Sequence, residues 1–236
     1  MFTPSRLSLA RRRRGFTKVH LAKKADLTVR SLSAYESVGA GHTDPLPDTA
    51  QRLADALGFP MSFFEAPDLR EITAEETTFR ALSKLSAIKR DQALSAGTFA
   101  LDFHRWISER FRLPALTMPD NLAGEGPERA AEILRAEWRL GEMPIPHMIH
   151  LLEAHGVRVF SLAEDYAEVD AFSTWDSGIP FVFLNTLKTA ERSRMDAAHE
   201  LAHLVLHRHG TTTRSRHIEE EAKQFASAFF EPKLLH

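Results

Sequence analysis

His199-Glu200-Leu201-Ala202-His203 sets two imidazoles four residues apart with a carboxylate between them. On a helix, residues four apart lie on one face, so His199 and His203 can offer ring nitrogens to a single metal ion. Glu200 then points toward water held by that ion and can take its proton. The flanking Ala197, Ala198, Leu201, Ala202, Leu204, Val205 and Leu206 predict a buried helix. A dry wall of that kind strengthens the field an ion exerts on its ligands. A short motif in a chain with 12 histidines arises by chance at roughly a few per cent, so a third ligand is what gives it weight.

Residue types and spacing leave three candidates for that ligand. His209 stands where an extended H-E-x-x-H-x-x-G-x-x-H pattern would place a third histidine, although Leu206 occupies the glycine position. The other two are carboxylates in the run from His217 to Pro232. There Ile218, Ala222, Phe225, Ala226 and Phe229 recur at helical spacing, with Glu219 and Glu221 at the edge of the apolar stripe. Two histidines and a carboxylate with an open fourth position suit hydrolysis of a peptide bond. Donors for the developing oxyanion are sought among His207, His209, His217 and Tyr166, which the sequence does not rank. The apolar strand Phe181–Leu184 is a candidate edge for an extended substrate.

The rest of the chain has to position these groups. Its 236 residues suffice for one large or two ordinary domains, and 43% hydrophobic with 26% charged residues indicates a soluble globular protein. The absence of cysteine fits a reducing cytoplasm and leaves histidine and carboxylate as metal ligands. No apolar run is long enough for a signal peptide or a membrane span, so a cytoplasmic location without membrane contact is expected. The net charge of −2 hides a basic N-terminus: Arg11 to Arg14, Lys18, Lys23, Lys24 and Arg30 fall in the first thirty residues.

That N-terminus reads as short helices: Ser5 to Arg13, Lys18 to Lys24 capped by Thr17, Thr28 to about Ser37, and Asp48 to Leu57. Short helices, a tight turn and basic charge describe a helix-turn-helix reader of DNA. The residues Arg11, Arg14-Gly-Phe-Thr17, Leu21-Ala22, Leu27-Thr28, Leu32-Ser33, Tyr35-Glu36, Leu53-Ala-Asp-Ala-Leu-Gly58 and Phe63-Phe64 resemble the XRE helix-turn-helix family. The resemblance implies that Thr28, Val29, Arg30 and Ser31 open the recognition helix and face base edges, with Arg30 suited to guanine. Thr17, Lys18, Arg11 and Arg14 would then touch phosphate and set register.

Between Ala74 and Arg112 the pattern is amphipathic and helical, with Phe79, Leu82, Leu85, Phe99, Phe103, Trp106 and Ile107 as packing positions or a dimer face. Glu128 to Leu140 and a helix through Met148, Leu151 and Leu152 follow. Strands are then expected near Val157–Phe160, Val169–Ser173 and Pro180–Asn185. The fold class is therefore mainly α, with an α+β second domain built on a small sheet.

This second half is also similar to a family. Trp138-Arg-Leu-Gly141, Leu152-Glu-Ala-His-Gly-Val157, Val169-Asp-Ala-Phe-Ser173, Phe183-Leu-Asn185, Arg192 to His207, and Ile218 to Ala226 with Pro232 resemble the ImmA/IrrE metallopeptidase-like domain. The resemblance implies a zincin-like domain whose third ligand maps onto Glu219, with Glu221 as the fallback. Zinc is the implied metal, manganese or another divalent ion the alternative. The implied division is 1–68 as helix-turn-helix domain, 69–126 as helical linker and dimerisation region, and 127–236 as metallopeptidase-like domain. Regulators that join these domains often extend further than His236. The implied function is a homodimeric transcriptional regulator that binds a double-stranded operator and cuts a repressor protein. A non-proteolytic sensor of ligand or stress is the alternative, and a toxin–antitoxin component ranks third.

Overall fold

The computed structural model describes residues 1–39, 41–77, 85–119, 122, 124–162, 169–207 and 216–231. Phe79, Leu82, Tyr166, His209 and Pro232, each singled out above, lie outside the described residues. Two compact units emerge: residues 1–72 with 85–102, and residues 73–84 with 103–236. The stretch 69–126 thus supplies residues to both.

The first unit contains α1 (Pro4–Arg13), α2 (Lys18–Lys24), α3 (Val29–Glu36), α4 (Pro47–Leu57) and α5 (Met61–Glu65). Thr17 and Thr28 start α2 and α3 as expected, their hydroxyls accepting hydrogen bonds from His20 N (3.1 Å) and Ser31 N (3.0 Å). Asp26 takes φ of 54° in the turn between these helices, a left-handed position that a short polar side chain tolerates. Leu7, Ala10, Leu21, Leu32, Leu53, Leu57 and Phe64 close the core beneath them. The next long helix, α6 (Ala87–Ser108), contributes its residues up to Asp102 to this unit, and Phe99 stacks 5.6 Å from Phe59. Further along α6, Phe103 and Trp106 are about half exposed.

The second unit is built from α7 (Pro127–Glu137), α8 (Met148–Ala154), β1 (Arg158–Leu162), β2 (Ala171–Asp176), β3 (Ile179–Asn185), α9 (Ala190–Leu206) and α10 (Arg216–Phe230). The sheet order is β1-β3-β2, with β1 parallel and β2 antiparallel to β3. The expectation that Phe181–Leu184 offers an edge is corrected here: β3 is the central strand, paired on both sides. Its unbroken Phe-Val-Phe-Leu run is what burial on both faces requires. The open edge of β2 meets Thr77 in an isolated bridge at Thr174. One apolar cluster joins Leu134, Trp138, Leu152, Val182, Leu184, Leu201, Phe225 and Phe229, so that α7, α8, α9 and α10 pack with the sheet. Gly156 must be glycine: its φ is 87°, and a Cβ there would lie 2.5 Å from Leu116 Cα.

Two histidines, buried His104 and partly buried His155, make a pH prediction. Burial holds the pKa of His104 below the ordinary imidazole range, with Arg158 and Arg105 adding to it against Asp176. Burial does the same for His155, which stacks 4.2 Å from Trp138. A folded-state pKa below the unfolded value means stability that is complete above about pH 6.5 and is lost as pH falls through the folded value. Thermal melts from pH 7.5 to 5 should therefore show a falling midpoint. The double variant His104→Asn/His155→Asn should show a shallower fall.

Candidate metal centre and DNA interface

α9 carries two of the three candidate metal ligands, His199 and His203. Thr189 caps it, accepting a hydrogen bond from Arg192 N at 3.3 Å, and from Ala197, about two turns on, the helix is buried almost all round. Ala197, Ala198 and Ala202 are fully buried small residues that allow close packing against neighbouring elements. α10 then lies against α9 through Ala222, Phe225, Ala226 and Phe229. Arg135, itself buried, donates to Phe229 O, Gly141 O and Met143 O and so ties the end of α10 to α7.

This packing brings His199, His203 and Glu219 together, with one ligand atom from each lying within 4.8 Å of the others. The imidazole Nε2 atoms stand 3.2 Å apart, His199 Nε2 is 3.4 Å from Glu219 Oε2, and His203 Nε2 is 3.9 Å from Glu219 Oε1. Donors about 2.0–2.2 Å from a tetrahedral zinc would be separated by roughly 3.4 Å, so the set fits such an ion. Burial first, then the neighbouring His199 and His207, push the His203 pKa down to about 3, and the ring is neutral and ready to ligate at pH 7. For His199 burial acts downward, but the Glu219 carboxylate, with Glu200 and Asp196, outweighs it and the pKa is raised.

Glu200 is buried beside this set, and Ser173 Oγ on β2 donates to its Oε2 at 2.7 Å. Ser173 had no assigned role in the sequence; a hydroxyl inside an apolar strand was the available signal, since such groups need a partner. Glu221, the fallback ligand, turns instead toward His207, at 3.2 Å. His217 is mostly exposed, with a side-chain accessibility of 77%, and lies 3.3 Å from Glu221.

In the first unit, Thr28, Val29 and Arg30 are exposed at the start of α3, with Ser31 partly so, and Thr17 is exposed at the start of α2. Lys18 is partly exposed, its Nζ 3.4 Å from Glu36. Arg11 and Arg14, expected at phosphate, also make contacts inside the domain. Arg11 forms a forked pair with buried Glu36 at 2.6 and 3.0 Å, and Arg14 donates to Leu57 O and Gly58 O. Both guanidiniums thus have partners within the domain, Arg11 half-buried and Arg14 exposed.

Residues 7–64 match the family described as Helix-turn-helix, and residues 152–233 match the IrrE N-terminal-like domain, a peptidase family. The chain joins these two domains. A helix-turn-helix DNA-binding domain with a peptidase-like partner is the composition of a transcription regulator. The IrrE-like match spans β1 to α10 and so contains every ligand of the candidate metal centre. No curated protein and no solved structure gives a significant match. Among the described residues, no helix is long and apolar enough to cross a membrane.

Proposed function

We propose that the chain is a DNA-binding regulator whose IrrE-like domain is a zinc-dependent endopeptidase acting on a repressor protein. The observation that supports it most is Glu200. This carboxylate is buried next to His199, His203 and Glu219 and is aligned by Ser173, a placement that hydrolysis needs and mere metal storage does not. A divalent ion there supplies Lewis acidity toward the scissile carbonyl and the attacking water. His199, His203 and Glu219 hold it; Glu200 accepts the proton of the water and passes it to the leaving amine. The zinc-supplemented protein should cut its repressor substrate at one bond, seen by mass spectrometry, and a chelator should stop it. Absence of any cut in zinc-loaded protein would leave the sensor reading, which the covalently attached DNA reader favours.

DNA binding is assigned to Thr28, Val29, Arg30 and Ser31 for the bases and to Thr17 and Lys18 for phosphate, in a homodimer on paired half-sites. Arg30→Ala should weaken operator binding about 5- to 150-fold and relax preference at one base pair. A mobility-shift titration against operator and scrambled duplex at fixed salt reads this; equal weakening on both duplexes would demote Arg30 to a phosphate contact.

A further inference from the structure

α9 and α10 align a second row of groups that hydrolysis as proposed leaves unused. His203 directs Nε2 toward His199 and Glu219, and its Nδ1 lies 3.1 Å from Nδ1 of His207. His207 Nε2 lies 3.2 Å from Glu221 Oε2, and Glu221 Oε1 lies 3.3 Å from His217 Nε2. A neutral imidazole has one N–H and one bare nitrogen. A ligating Nε2 must be bare, so His203 carries its proton on Nδ1 and donates to His207 Nδ1. His207 is then protonated on Nε2 and donates to Glu221, which as a carboxylate only accepts. The two ends of the row therefore fix both tautomers.

We propose that His207 and Glu221 are positioning residues for the metal centre, an imidazole-carboxylate chain that orients His203 and strengthens it as a donor. The proposal rests on the reading of His199, His203 and Glu219 as ligands. A ligating histidine commonly donates its second N–H straight to a carboxylate or carbonyl. Here one imidazole is interposed, and the spacing explains why: His199, His203 and His207 follow one another at four-residue intervals, the last at the C-cap of α9, while Glu219 and Glu221 are two residues apart on α10. One helix docking thus supplies the third ligand from Glu219 and the orienting charge from Glu221. It also accounts for Glu221 not joining the ligand set. His217, at the solvent end, should be dispensable.

The test is the zinc dissociation constant of the purified full chain, by competition with a chromophoric chelator, with zinc alone as the probe. His207→Ala and Glu221→Ala should each weaken zinc binding by about 10- to 100-fold, the usual cost of losing an outer partner. His207→Gln, whose amide can both accept from His203 and donate to Glu221, should recover most of the loss. Glu221→Gln, the same shape without the charge, should weaken binding by about tenfold, whereas His217→Ala should bind as wild type. Metal-free melting curves identify any variant that has lost its fold, and the near-isosteric Glu221→Gln keeps the question open to decision if an alanine variant does. Wild-type affinity in folded Glu221→Gln and His207→Ala would overturn the chain while leaving the metal reading intact. No zinc binding by wild type would overturn both.

Discussion

Glu200→Gln should retain zinc at the wild-type level and slow repressor cleavage by about 10²–10⁴-fold, the usual worth of a positioned general base. The substitution is nearly isosteric, and its amide oxygen can still accept the Ser173 hydrogen bond that Oε2 accepts at 2.7 Å. What it loses is the ability to take a proton. His199, His203 and Glu219 are untouched, so metal content serves as an internal control. Single-turnover cleavage and elemental analysis of the same sample would separate the outcomes. Zinc kept with cleavage lost supports the endopeptidase. Zinc kept with cleavage unchanged would mean that another group is the base and would sink the role given to Glu200. Reporter induction that survives the substitution would favour a sensor, because sensing has no chemical need for that carboxylate.

The histidine face of the candidate cluster was readable in the chain because helical spacing is local. His199 and His203 define their face four residues apart, and the apolar stripe Ile218, Ala222, Phe225, Ala226 and Phe229 puts both Glu219 and Glu221 at its edge, between which the family resemblance implied Glu219. Thr17 and Thr28 marked their helix starts for the same reason, the capping hydroxyl and the N–H that donates to it being three residues apart. What was not readable depends on partners distant in sequence. The sequence set Arg11 and Arg14 toward phosphate and gave no sign that Glu36, 25 residues on, pairs with Arg11 or that exposed Arg14 donates to the end of α4. Composition cannot distinguish an arginine waiting for phosphate from one already forked onto a carboxylate. The order of the sheet was hidden likewise. The apolar run of β3 announces burial, and only its pairing with β1 and β2 shows that it has no edge to offer. Ser173 reaches Glu200 across 27 residues, and no local pattern links a strand hydroxyl to a carboxylate on a helix.

His203→Ala and Glu219→Ala should each take the protein from about one zinc per chain to nearly none, since two remaining ligands are fewer than a catalytic zinc site provides. The binding itself should depend on pH in a direction fixed by His199. Its pKa is raised, burial being outweighed by Glu219, Glu200 and Asp196, so a proton must leave His199 before it can ligate. His203, held at about 3, has no proton to lose near neutrality. Zinc affinity of the wild type should therefore climb as pH rises through the His199 range and level off once that ring is neutral. Thermal melting gives an independent reading: zinc at 100 times its dissociation constant should stabilise the wild type by about 2.7 kcal/mol, and leave both variants where they melt without metal. An equal rise in the variants would place the zinc elsewhere. No rise in the wild type, with the fold intact, would leave a peptidase-shaped domain that works without a metal, and the endopeptidase would fall with it.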